Sequence, residues 1–155
     1  MSKKLLCSCK SKSNLEVIYD FGLIPQVNNY GHIDDKGDIK KYPLKLAICS
    51  TCRLLQLTEM PDRENIYRNY DHYSSASVNN ADHLMSIAKT INNENSDQKV
   101  ILEVGCNDGT LLKSLDKKHK LYGIDPASNV YEKNNNDNFT ILHEFFDINN
   151  IEKIK

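Results

Sequence analysis

Apolar positions along the chain change rhythm twice. From residue 5 to about residue 57 they come in short groups, EVIYDFG, YPLKLAIC and RLLQL, separated by turn-rich polar sequence such as NNYGHIDDKGD. Tyr42, Leu44 and Leu46 alternate with Pro43, Lys45 and Ala47, the period-two pattern of a strand, so this part predicts a few short strands. Residues 60 to 77, MPDRENIYRNYDHYSSAS, form an aromatic-rich connector in which Pro61 and Asp62 suit a helix start. Ala81, Leu84, Met85, Ala88 and Ile91 then recur at steps of three and four. They mark one face of a helix over roughly residues 79 to 91, with Ser77 as its cap.

Beyond NNENSDQ the pattern turns to strand, helix, strand, helix, strand: VILEVG, TLLKSLDKKH, LYGID, PASNVYEKNN and NFTILHEFF, with DINNIEKIK opening a further helix. NNNDN reads as a surface loop. The expected fold class is α/β. A small N-terminal module of short strands over 1–60 is followed by a helical connector over 61–98. The first half of a doubly wound, Rossmann-like sheet then covers 99–155.

Composition narrows the function classes. A formal net charge of −1 over 155 residues gives no electrostatic reason to expect nucleic acid as a partner. The basic start, MSKKLLCSCKSK, lacks a signal-type apolar run and no later segment has the length of a membrane span, so the expected setting is cytoplasmic, with no membrane partner. In that compartment five cysteines point to metal ligands or buried thiols rather than disulfides.

Cys49-Ser-Thr-Cys52 has the C-x2-C spacing that brings two thiolates from one tight turn to a tetrahedral metal, and Cys7-Ser-Cys9 supplies two more sulfurs upstream. The set resembles a closed, structural four-cysteine zinc site. Because C-x-C is one residue shorter than the usual knuckle, one of Cys7 and Cys9 could stay unused, with His32 in reserve. The alternative is a group of reduced, partly buried thiols. Against it stands the small amount of other core material in a module of about fifty residues.

Glu103-Val-Gly105-Cys-Asn-Asp-Gly109 follows a strand and precedes a helix, the setting of a nucleotide-type turn. Its spacing, E-x-G-x-x-x-G, is the form associated with S-adenosylmethionine (SAM) rather than the G-x-G-x-x-G of dinucleotide binders. Backbone at Gly105 could approach the amino acid portion of SAM closely while an acidic or polar side chain meets its ammonium. Asp125, at the tip of the next strand, would hold the ribose diol by charge-assisted hydrogen bonds. The expected cofactor residues are therefore Glu103, Gly105, Asn107, Gly109 and Asp125. The bland alternative is an ordinary strand-to-helix turn beside a surface aspartate. Cys106 reads as a small packing residue.

With both halves in view, the chain resembles the sugar C-methyltransferase family, in which an N-terminal zinc-binding domain precedes a SAM-dependent methyltransferase domain. The matching pieces, in order, are Cys7-Ser-Cys9, Gly22-Leu-Ile-Pro25-Gln-Val-Asn28, Tyr42-Pro43-Leu44, Cys49-Ser-Thr-Cys52-Arg-Leu-Leu-Gln56-Leu57, Tyr70-Asp-His-Tyr73-Ser-Ser75, His83, the glycine turn and Gly123-Ile-Asp-Pro126. The resemblance implies a nucleotide-linked keto-deoxysugar as substrate. A base removes the proton beside the ketone, and the enolate carbon takes the SAM methyl, with donors needed at the developing oxyanion. Tyr70 best matches the family's catalytic tyrosine from the N-terminal half, with Tyr73 second. Where relatives read Y-x-Y-x-S-S this chain has Tyr70-Asp-His72-Tyr73-Ser-Ser, so either the second tyrosine is shifted or His72 replaces it. Both tyrosines are equally readable as packing residues, and His83 as a surface histidine.

A domain of this family needs about seven strands, whereas three fit between residues 99 and 155. The expectation is therefore a chain that is inactive alone and completed by a C-terminal half, separately encoded or lost. Two other readings compete: a non-enzymatic zinc module that binds a partner, and a SAM methyltransferase with a different acceptor.

Overall fold

The computed structural model describes residues 3–4, 6–9, 15–26, 39–94, 96–131 and 138–154. His32, Asn28 and most of NNNDN lie outside the described residues. The fold is mixed α/β in two compact units, Met1–Ile66 and Tyr67–Lys155. The stretch read as a connector is divided between them, so the helix over residues 79 to 91 belongs with the parallel strands.

In the first unit β1 (Lys3–Lys4) is followed by β2 (Leu15–Pro25), β3 (Lys41–Cys49), β4 (Leu55–Leu57) and β5 (Glu59–Met60). β2, β3 and β4 make one antiparallel sheet in that order, and β1 pairs with β5. The β2–β3 ladder shifts register between Asp20 and Leu23, next to Pro43, which has no N–H to give. Gly22 takes φ +78° in this bulge and donates its N–H to Asp20 Oδ1 at 2.8 Å. Burial in β3 does not follow the simple alternation of Tyr42, Leu44 and Leu46. Tyr42 is buried on one face, and Ala47 and Cys49 on the other. Together with Cys7 these are the buried apolar residues of the unit among those described, while Val17, Tyr19, Phe21 and Leu23 of β2 stay exposed. α1 (Arg63–Tyr67) runs to the boundary between the units, and Asp62 caps it by accepting from the Glu64 N–H at 3.1 Å.

The second unit contains a 3-10 turn (Ser74–Ala76), α2 (Val78–Glu94), β6 (Val100–Val104), α3 (Thr110–Ser114), β7 (Lys120–Ile124), α4 (Ser128–Tyr131), β8 (Phe139–Leu142) and α5 (Ile148–Ile151). β6, β7 and β8 form a parallel sheet in that order. Ala88 of α2, Leu112 of α3, Leu115, Leu121 and Ile141 make its core with Cys106. Of the face read on α2, Ala88 is buried whereas Met85 is exposed. Asn92 fixes α2 to the end of α3, accepting from the Asp116 N–H at 3.0 Å and donating to the Ser114 carbonyl at 3.3 Å.

NFTILHEFF is not one continuous strand. β8 stops at Leu142 because the Glu144 N–H turns back onto the Leu142 carbonyl at 3.0 Å, and Asp147 then caps α5 through the Asn149 and Asn150 N–H groups. Residues 143 to 146 are thereby freed from the sheet.

Cys106 packs over Gly123, as its reading as a small packing residue requires. A Cβ on Gly123 would lie 2.5 Å from Cys106 Sγ and 2.9 Å from Leu112 Cδ1. Gly123→Ala is therefore expected to destabilise the second unit by about 1–3 kcal/mol through overpacking. Adding Cys106→Ala should recover part of that loss. Urea unfolding of the single and double variants measures both terms.

Candidate functional site

Four sulfurs converge in the first unit. Cys49 ends β3 and Cys52 follows in the turn before β4. That turn is closed by Arg53 N–H to Cys49 O and Cys49 N–H to Leu54 O, both at 3.0 Å. Arg53 adopts φ +62° there, and the Cys52 N–H points at Cys49 Sγ, 3.5 Å away. Gln56 Nε2 donates to the Leu6 carbonyl at 3.4 Å, which brings the residue before Cys7 beside β4. The Sγ atoms of Cys7, Cys9, Cys49 and Cys52 all lie within 4.8 Å of one another, with Cys7–Cys52 at 3.4 Å and Cys9–Cys49 at 3.8 Å. A tetrahedral zinc with four thiolates at about 2.3 Å needs sulfur separations of about 3.8 Å. The C-x-C spacing thus leaves neither upstream cysteine out of reach. The Cys9 backbone N–H favours the Cys7 thiolate. Burial and the thiols of Cys9, Cys52 and Cys49 outweigh it, so Cys7 is pushed up to about 12. A divalent cation would remove the reason for holding that proton.

In the second unit the turn after β6 is shaped by three residues with positive φ: Gly105 (+76°), Asn107 (+48°) and Gly109 (+69°). The Gly105 N–H donates to the Ile124 carbonyl at the end of β7 at 2.8 Å. Asp125 binds the two turns together: Oδ2 accepts from the Asn107 N–H and Oδ1 from the Ala127 N–H, both at 2.9 Å. Nothing lies within 4 Å of the place where a Cβ on Gly105 would stand, so the turn presents bare backbone to open space.

A cavity of about 430 Å³ opens at this point, over the C-terminal ends of β6 and β7. Tyr67, Tyr70, Phe145 and Phe146 give it an aromatic wall, and Gly105, Asn107 and Asp125 a polar one. His72 and Ser74 also line it, and the His72 ring stands edge-on to Tyr70 with centroids 6.2 Å apart. Of the two residues read as alternatives beside Tyr70, His72 lines the cavity.

Three of the expected residues do not line the cavity. Tyr73 precedes the 3-10 turn, where its carbonyl accepts from the Ala76 N–H at 3.0 Å. Gly109 faces the Phe139 ring, so its lack of a side chain serves packing. Glu103 lies partly buried in β6, where burial, reinforced by the Asp108 and Asp125 carboxylates, pushes it up to about 7. His83 is exposed on α2. Phe145, Phe146 and Tyr67 are cavity residues that pattern reading missed. The signal for two of them is the aromatic pair in HEFFD just past a strand, which pattern alone does not separate from the strand itself.

Residues 7–67 match the family model Methyltransf_13, described as "Putative zinc binding domain". The match spans all four cysteines and supports zinc as their metal and a methyltransferase-related role for the chain. No curated protein matches the chain. Among the described residues no helix is long and apolar enough to cross a membrane.

Purified chain is expected to carry about one zinc per molecule by elemental analysis, and Cys49→Ser to lose it. Zinc uptake by metal-free protein should release protons, visible as a calorimetric enthalpy that varies with the ionisation heat of the buffer. A metal-free chain with all four thiols freely titratable would contradict the zinc assignment.

Proposed function

We propose that the cavity binds SAM and that the chain supplies the zinc module and cofactor-holding part of a C-methyltransferase for a nucleotide-linked keto-deoxysugar. The observation that carries this reading is the bare Gly105 backbone, at φ +76° with open space before it, facing a cavity shared with Asp125. Ligands of parallel α/β sheets sit outside the carboxyl ends of the strands, and both residues are at such ends. Asp125 spends one lone pair of each oxygen on backbone N–H groups and keeps the others for two hydroxyls of a ribose. The aromatic wall of Tyr67, Phe145 and Phe146 suits a purine.

When bound, SAM supplies a methyl group on a cationic sulfur. The Tyr70 hydroxyl and His72 imidazole, side by side on the cavity, are able to move a proton or donate to an oxyanion on a sugar ketone. The sugar itself rests on the family resemblance. Among the described residues β6 has a neighbour on one edge only, and Val100, Leu102 and Val104 are exposed on one of its faces. We take this edge as the place where further strands, of the same protein or of a separately encoded half, complete the sheet.

Calorimetry on the zinc-loaded chain tests the reading. SAM is expected to bind, and Asp125→Ala to weaken it at least tenfold, in line with about 1.5–3 kcal/mol for hydrogen bonds to a charged group. Glu103 adds a pH signature. A carboxyl raised in the fold lends stability below its unfolded value, and that contribution is lost as pH rises through about 7. Stability of the fold should therefore fall between about pH 5 and 7, and Glu103→Gln should flatten that dependence in urea unfolding. Absence of SAM binding by the folded, zinc-loaded chain overturns the proposal.

A further inference from the structure

Residues 68 to 75 are tied to the loops that follow all three parallel strands. Beyond β8, Arg68 Nη1 donates to the His143 carbonyl at 2.9 Å and Nη2 pairs with Glu144 at 3.3 Å. Beyond β7, Ser128 donates its N–H and hydroxyl to the Arg68 carbonyl, at 3.1 and 3.0 Å. There too, Asn129 clasps Tyr70 from both sides: Oδ1 accepts from the Tyr70 N–H and Nδ2 donates to its carbonyl, both at 3.0 Å. Beyond β6, Asn107 Nδ2 donates to the His72 carbonyl at 3.0 Å and Oδ1 accepts from the Ser74 N–H at 2.8 Å. Asp108 accepts from the Ser75 N–H at 2.9 Å.

Two asparagine amides thus stand in for a neighbouring strand, holding backbone groups at residues 70, 72 and 74. Asparagine fits position 107 for two separate reasons. It tolerates a left-handed backbone better than most residues, and its amide offers a donor and an acceptor at once. Aspartate at 107 would keep the acceptor for Ser74 but turn a carboxylate on the His72 carbonyl. Glycine would keep the turn and remove both bonds. Because the Asn107 N–H is itself held by Asp125, the segment and the turn share one residue.

We propose that Asn107 and Asn129 are positioning residues that set the Tyr70–His72 ring pair over the cavity, and that Asn107 couples this placement to ligand binding on the Gly105–Asp125 turn. The coupling rests on the SAM reading above, whereas the clasp itself does not. Whatever stabilises the turn stabilises the segment, and the reverse follows by linkage.

Amide hydrogen exchange on the full zinc-loaded chain, with and without SAM, tests it. In free protein Asn107→Gly should speed exchange at Ser74 about tenfold, and Asn129→Ala should do the same at Tyr70. Unchanged rates in α2 and β7 would show that the fold is kept. Asn107→Asp, which retains the Ser74 acceptor, should leave Ser74 protected. Saturating SAM should slow exchange at Ser74 severalfold in wild type, and Asn107→Gly, with SAM raised until that variant too is saturated by calorimetry, should show no such slowing. Unchanged free-protein rates at Ser74 in Asn107→Gly would overturn the clasp. SAM-dependent slowing that survives Asn107→Gly would overturn the coupling. A wild type that binds no SAM would remove the cofactor reading and the coupling built on it, and the free-protein rates would still decide the clasp.

Discussion

The carboxylate of Asp125 is the interaction on which the second unit's site depends. One oxygen takes the Asn107 N–H from the turn after β6 and the other takes the Ala127 N–H from the turn after β7. Neighbouring parallel strands end in loops that diverge unless something joins them, and here one charged acceptor joins them at 2.9 Å on each side. The Gly105 N–H on the Ile124 carbonyl adds a second tie at the same level. With the turns held together, Gly105 can face the cavity with bare backbone. Asn107 can adopt its left-handed geometry, and its amide can reach the aromatic segment beyond.

The two units reach order by different physical routes. The second has a continuous core of Ala88, Leu112, Leu115, Leu121 and Ile141 around Cys106, under three parallel strands. The first buries Tyr42, Ala47 and two of its cysteines, and leaves much of β2 exposed. So small a core rarely carries a fold alone. Four thiols within 4.8 Å of each other are a cost to the fold when they hold their protons and an asset when a cation replaces them. The metal is best seen as part of the first unit's interior.

Period and spacing made much of this legible. The steps of three and four from Ala81 to Ile91 correspond to α2, and VILEV and LYGI to β6 and β7, because each pattern is local. The two cysteine pairs and the positions of Gly105 and Asp125 were readable for the same reason. Contacts between a side chain and distant backbone leave no such mark. The bonds of the Asn107 amide to the His72 carbonyl and the Ser74 N–H are of this kind, and nothing in the spacing of the glycine turn announces them. The Phe139 ring against Gly109, which stands at φ +69°, is likewise a contact that the motif spacing does not show. Phe145 and Phe146 were hidden because an apolar run gives no sign of where a strand stops. Here a single backbone bond, Glu144 N–H to Leu142 O, decides it.

The central claim is that the space bounded by Gly105, Asp125 and the aromatic wall is a SAM site. The most direct measurement is a crystal structure of the zinc-loaded chain grown with S-adenosylhomocysteine. The account predicts the ribose hydroxyls on the two free lone pairs of Asp125, the amino acid portion against Gly105 and the purine along Phe145 and Phe146. A nucleoside bound elsewhere on the chain, with this cavity filled only by water, would contradict it.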